Sequence, residues 1–374
     1  MAMKVIVSLP EYDDCIVRIG AGVLDRTGEG LLGAVGPALD SVLVVSDGTA
    51  APDAAARIRG SLADTGVRSR AVDAPAGRSG RTLEVAGELL DAFSQVGLTR
   101  RSCVVALGDS SLANVVSLAG ALYRGGIAFA LAPTTLRGLV AGALPGTVHI
   151  DCAGARDVAE MQVRPVYVAA DLFGEADAAA PAYRAGLAEV ARAAMRGDDD
   201  FFFWLLEHAE ALRSGASDAV DEAAARAVVA LADEAAFFQG FDDAGFAPAS
   251  QRFSLDERAL ARALRAGANL AEDADGAALS EALRFTAWLA QRRGIAAGEL
   301  ADAQDDLLAT LGIARLSALV DVERACAELC AQSPQDEGSF SWDVPCDVGK
   351  RGLLASSAAE ARASLAAWLD REGR

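Results

Sequence analysis

Residues 102–111 read SCVVALGDSS, an unbroken apolar run that stops at a glycine followed by small polar residues. That is the pattern of a parallel strand buried on both faces and handing its last residues to a turn. Just upstream, TLEVAGELLDAF at 82–93 repeats its apolar residues at helical spacing, and downstream a second helical stretch leads to IAFALAPTTL at 127–136. An earlier run of the same kind, SVLVVSD at 41–47, ends on Asp47. Strand, helix, strand in repetition predicts an α/β domain with a doubly wound, Rossmann-like parallel sheet, whose ligands bind beyond the carboxyl ends of the strands. Interest therefore falls on Asp47, on Gly108 to Ser111 and on Thr134 to Arg137. From about residue 174 the chain turns to Ala-, Glu-, Arg- and Leu-rich segments with helical periodicity, so a mostly α-helical domain over 174–374 is expected to follow the α/β domain of 1–173.

The 374 residues carry 34 Lys+Arg against 53 Asp+Glu, a formal net charge of -19. Surfaces that read nucleic acid are built from excess Lys and Arg, so a nucleic-acid partner is not expected. Residues 115–136 are apolar but interrupted by Arg124, Gly125 and Gly126, too soon for a membrane span. Six cysteines without a CxxC pair suggest reduced thiols and a cytoplasmic location, with Cys326 and Cys330, one helical turn apart, read as helix packing. Imidazole is confined to His149 and His208, and ammonium groups to Lys4 and Lys350. Abundant Ala and Arg with so little Lys suggests the coding bias of a high-G+C bacterium.

The stretch RRSCVVALGDSSLANVVSLAGALYRGGIAFALAPTTL at 100–136 resembles the cofactor-binding core of 3-dehydroquinate synthase and its sugar phosphate cyclase relatives. There an ALGGG turn is followed by an Asp, a YMRG-like segment and a PTTL loop. AGLAEVARAAMRGDDDFFFWLLEH at 185–208 is similar to that family's GLAEVIK segment, Glu281-Ala282 falls where its HGEAV motif would, and SWDVPCDVGK at 341–350 resembles its closing strand. The resemblance implies the two-domain fold of that family, a homodimer, and a reaction in which tightly held NAD transiently oxidises a sugar-phosphate hydroxyl while a divalent metal polarises the oxygen. Such chemistry needs a metal site, a dinucleotide cradle and cations for the phosphate.

Set against those motifs, the residues here depart at each requirement. Glu189 matches the metal-binding Glu, but no His follows His208. Leu279 stands for one histidine and Ala263 or Ala268 for the other, which leaves Glu189 a lone remnant ligand where three are usual. The cofactor positions Asp47, Gly108, Thr134, Thr135 and Leu136 survive as vestiges, yet the glycine triplet reads Gly108-Asp109-Ser110 and the downstream Asp is Asn114. A side chain where backbone must approach a pyrophosphate obstructs it, and Asp109 repels its charge. Arg78, Arg81, Ala141 and Thr147 replace further cofactor-binding groups. In the substrate cradle the GKN segment reads Gly154-Ala155-Arg156, and Gly125 takes the YMRG arginine position unless Arg124 covers it. Glu189, Arg192, Arg124 and Arg156 are the candidates for a cleft between the domains, with neither NAD nor a metal expected.

Three readings follow. One is a repurposed fold that binds or converts a less polar, non-phosphorylated small molecule without metal, as a cyclase or lyase of specialised metabolism. The second is a non-catalytic partner subunit of an active enzyme, and the third an active sugar phosphate cyclase of unusual site composition.

Overall fold

The computed structural model describes residues 3–7, 14–142, 147–152, 155–172, 178–239, 254–271, 274–296, 298–332 and 339–371. Two compact units emerge: Met1–Ala176 with Ser217–Ala232, and Asp177–Ala216 with Asp233–Arg374. The expected boundary at 173/174 lies outside the described residues, as does Gly154.

The first unit contains, in chain order, β1 (Met3–Val7), β2 (Cys15–Ile19), β3 (Ser41–Ser46), β4 (Arg68–Asp73), β5 (Cys103–Gly108), β6 (Ala128–Pro133), β7 (Thr147–Cys152), β8 (Ala155–Gln162) and β9 (Tyr167–Ala170). Seven of these form one sheet in the order β1-β2-β9-β6-β5-β3-β4, while β7 and β8 make a separate hairpin. All pairings in the large sheet are parallel except β1 with β2. The expected doubly wound α/β sheet is therefore present. Its central strands are the apolar runs: β5 and β9 are buried throughout, and β3 and β6 nearly so. At the margin, β4 exposes Arg68, Arg70, Ala71 and Asp73, as suits an edge strand that must not pair further. β4 lies on one side of β3 and β5 on the other, so the connection reverses direction at β3 and opens a crevice between the carboxyl ends of β3 and β5.

The second unit is helix-rich, as expected, and also holds a small sheet in which β10 (Ser254–Leu255) runs parallel to β11 (Ser339–Asp347), itself antiparallel to β12 (Lys350–Ser357). Helix Asp275–Arg292 is buried on every face from Ala278 to Ala290 and forms the axis of the unit, packed by helices Pro181–Arg196 and Glu257–Gly267 and by β11. Phe285, Trp288, Trp342 and Trp368 cluster on it, with ring centroids 5.4–6.4 Å apart. Glu281, at the HGEAV-like position, is fully buried and accepts a hydrogen bond from Trp368 Nε1 at 2.6 Å, which gives it a structural task.

Candidate functional site

In the first unit, the switch-point crevice holds the residues that the resemblance assigns to the cofactor. Asp47 leaves the end of β3 and is 8% exposed. Its Oδ1 accepts from Thr49 N (2.9 Å) and Thr49 Oγ1 (2.6 Å), and its Oδ2 accepts from Asp109 N (3.0 Å) across the crevice. The carboxylate lies where a side chain on Gly108 would start, since a Cβ there would come within 2.4 Å of it. Glycine at 108 is thus required by Asp47. Asp109 then caps helix Ser110–Leu122, its Oδ1 accepting from Ser111 N at 2.8 Å and Leu112 N at 3.1 Å. A helix amino terminus after a strand is an anion site, and here the anion is the chain's own carboxylate. Burial pushes the Asp109 carboxyl above its ordinary range, opposed by the Leu112 hydrogen bond and reinforced by Asp47. Asn114 completes a local tether: its Nδ2 donates to Ser110 O, and its Oδ1 accepts from His149 N, both at 2.6 Å.

The PTTL loop divides its roles. Thr135 Oγ1 accepts from Gly138 N at 2.9 Å and Leu136 is fully buried, so both serve the backbone turn and the core. Thr134 lines a cavity of about 510 Å³ that spans the carboxyl ends of the strands, with Gly22, Thr49, Arg57, Leu107 and Asp171 among its walls. Arg57 holds Asp25 and Asp171, at 2.8 and 3.0 Å. Neither Arg57 nor Asp171 stood out in the sequence.

Of the cleft candidates, Arg124 and Arg156 belong to the first unit and Glu189 and Arg192 to the second. Arg124 precedes β6, at the amino end of that strand, with its guanidinium 5.3 Å from the Tyr123 ring centroid. Arg156 is exposed on β8. Arg78 and Arg81, at family cofactor positions, pair with Asp151 at 2.8 and 2.6 Å.

In the second unit Glu189 and Arg192 are buried on helix Pro181–Arg196 and take part in a lattice of charges. Arg258 donates to Glu189 through Nε (3.0 Å to Oε2, 3.2 Å to Oε1) and Nη2 (2.8 Å to Oε2). Arg192 holds Asp256 at 2.9 Å and Glu257 at 3.3 Å. Arg196 bridges Glu257 at 2.8 Å and Asp343 at 2.6 Å, while Arg351 reaches Glu257 and holds Asp343 at 2.9 Å. Burial works against ionisation of Glu257, but Arg196, Arg351 and Arg192 hold its carboxyl well below the usual range. Asp256 is brought to about 2 against burial by Arg192 and Arg196. Arg258 was invisible to sequence reasoning: the motif comparison pointed to Ala263 or Ala268, one helix turn or more further on, and only the fold brings the first turn of helix Glu257–Gly267 onto Glu189.

A family profile described as 3-dehydroquinate synthase N-terminal matches residues 71–174. Among curated proteins, the 3-dehydroquinate synthase of Paracoccus denitrificans (strain Pd 1222) is 31% identical over 198 residues, 53% of either chain. That of Roseobacter denitrificans (strain ATCC 33942 / OCh 114) is 34% identical over 219 residues, 58% of either. Over these stretches the chain is similar to 3-dehydroquinate synthases. The matched stretch spans about half the length of these curated relatives. The fold likeness is wider. A 2-deoxy-scyllo-inosose synthase, solved with carbaglucose-6-phosphate, NAD+ and Co2+, superposes with a TM-score of 0.79 at 14% identity, covering 96% of this chain and 98% of that one. The 2-epi-5-epi-valiolone synthase of Streptomyces hygroscopicus subsp. jinggangensis 5008, with NAD+ and Zn2+ bound, superposes at 0.75 with 19% identity over 98% and 99%.

Neither group bound by these neighbours fits the described residues of this chain at the positions the resemblance implies. A divalent cation needs about three oxygen or nitrogen donors facing one point. Among the described residues no three His, Cys, Asp or Glu side chains gather so, and Glu189 faces a guanidinium instead. A pyrophosphate needs open N–H groups at the start of helix Ser110–Leu122, and the Asp109 carboxylate takes those of Ser111 and Leu112.

Proposed function

We propose that this chain has left the metal- and NAD-dependent cyclisation of sugar phosphates and binds or converts a less polar, non-phosphorylated small molecule without metal, in bacterial specialised metabolism. The observation that carries the reading is the two-point grip of Arg258 on Glu189. A buried carboxylate that bonds a guanidinium through both oxygens already has its counter-charge, and a dication at Glu189 would have to displace Arg258. The self-capped helix at Asp109 supports the same reading for the dinucleotide, and the open cavity beside Thr134 favours a ligand-binding role over that of a packed, non-catalytic partner. A cytoplasmic homodimer is part of the proposal, on the family resemblance.

The test is elemental analysis of the purified protein combined with calorimetric titration of Zn2+ and NAD+. The reading expects sub-stoichiometric metal and no saturable NAD+ binding. One tightly held transition ion per chain, lost on Glu189→Ala, would overturn it.

A further inference from the structure

We propose that the cavity at the carboxyl edge of the first unit's sheet is a binding site for a small organic cation, a protonated amine carried on a compact apolar body. The proposal rests on the reading that the dinucleotide is no longer bound there, and it adds the charge of the ligand. The walls are mainly small and apolar, with Ala50, Ala54, Leu107 and Ala132 beside the polar groups. Within them Asp171 has a side chain only 9% exposed. Its Oδ2 accepts from Arg57 Nη2 at 3.0 Å and Gly22 N at 3.2 Å, whereas no hydrogen bond reaches Oδ1 among the described residues. Thr134 lines the same cavity, and its Oγ1, shielded from solvent in this rotamer, has no hydrogen-bond partner among the described residues. Thr49 spends its hydroxyl proton on Asp47, so that oxygen can still accept. Asp171 Oδ1 and the Thr49 oxygen are thus acceptors without a donor, and the Thr134 hydroxyl can serve in either role.

Charge decides which donor. Arg57 is shared between Asp25 and Asp171, so that group carries one net negative charge, and Asp47 adds another through Thr49. Asp221, in the same unit, registers the same field: burial first, then Asp218 and Asp171, push its carboxyl up to about 6. A phosphate or carboxylate entering here would face the net negative charge of the Asp25–Arg57–Asp171 group, whereas an ammonium would complete Asp171 Oδ1, and Thr134 Oγ1 once that side chain turns to the cavity, while its carbon body covers the alanine walls.

The experiment titrates the full-length protein with cyclohexylammonium, cyclohexanol, cyclohexanecarboxylate and NAD+, following binding by calorimetry or ligand-observed NMR. Cyclohexylammonium should bind about tenfold or more tightly than its two isosteres, a gap on the scale of one charge-assisted hydrogen bond. Asp171→Asn should erase the preference for the ammonium over its isosteres, and Thr134→Val, which keeps the shape and removes the hydroxyl, should narrow it. Equal affinity for the three, preference for the carboxylate, or an unaltered preference in a folded Asp171→Asn or Thr134→Val protein would overturn the proposal. Saturable NAD+ binding would overturn the function proposed above; absence of both NAD+ binding and amine preference would sink this inference alone.

Discussion

The carboxyl edge of the first unit's sheet and the buried ion lattice of the second are both places where the family resemblance implies a bound group, and in both the chain supplies its own charge. They do so by different means. At the sheet edge, Asp47 and Asp109 are held by backbone N–H groups whose positions are fixed by β5 and helix Ser110–Leu122. In the lattice, Glu189, Asp256, Glu257 and Asp343 depend on four arginine side chains, so the neutrality of each member rests on its neighbours. The first arrangement should lose stability locally when damaged and the second cooperatively.

Acid should separate the two most strongly. Glu257 and Asp256 have folded-state values below their ordinary ones, so the stability they confer is complete above the unfolded values of about 4.5 and 3.8 and is lost as pH falls through the folded values, about 2 for Asp256. Asp109 has the opposite sign: its raised value favours the fold at low pH and is lost as pH rises through it. Denaturant midpoints measured by circular dichroism from pH 7 to pH 2 should therefore drop sharply below pH 4, and a flat profile would show that the lattice is not what acid attacks. Next in size is Glu257→Leu, which leaves Arg192, Arg196 and Arg351 without their shared partner; equilibrium unfolding should register a loss of about 3–5 kcal/mol. A loss under about 1 kcal/mol would erase the distinction between cooperative and local support.

At the sheet edge, Gly108→Ala drives a methyl into the Asp47 carboxylate and should cost about 1–3 kcal/mol, recovered in part by adding Asp47→Ala to make room. The smallest effect belongs to Asp109→Ala, which removes one helix cap and should cost about 1 kcal/mol in the same assay. If Asp109→Ala proves more damaging than Glu257→Leu, the ranking of the two regions is reversed.

The strands at 41–47, 102–111 and 127–136 were legible because a strand buried on both faces must be apolar at consecutive positions and each run alternates with a helical stretch; the run alone would not have sufficed, since FFFWLL at 201–206 is equally apolar and helical. Asp47, Gly108 and Thr134 could be placed at the ligand edge for the same reason: a parallel sheet puts every strand's carboxyl end on one side. The separate tasks of Thr135 and Leu136 could not be read, because adjacent residues of a loop look alike until the turn that follows is known. The lattice was still less legible. Glu189 and Arg192 could be singled out from their segment, but Arg258 and Glu257 stand more than sixty positions away in a stretch of ordinary helical composition.

Local pattern, which is short in range, thus settled the sheet, which residues lie at its carboxyl edge, the helical character of the later residues and the want of imidazole after His208. Which carboxylate meets which cation is a matter of distance in space. It was decided when helix Glu257–Gly267 came to lie against helix Pro181–Arg196, placing a guanidinium where the aligned motifs had shown only alanine.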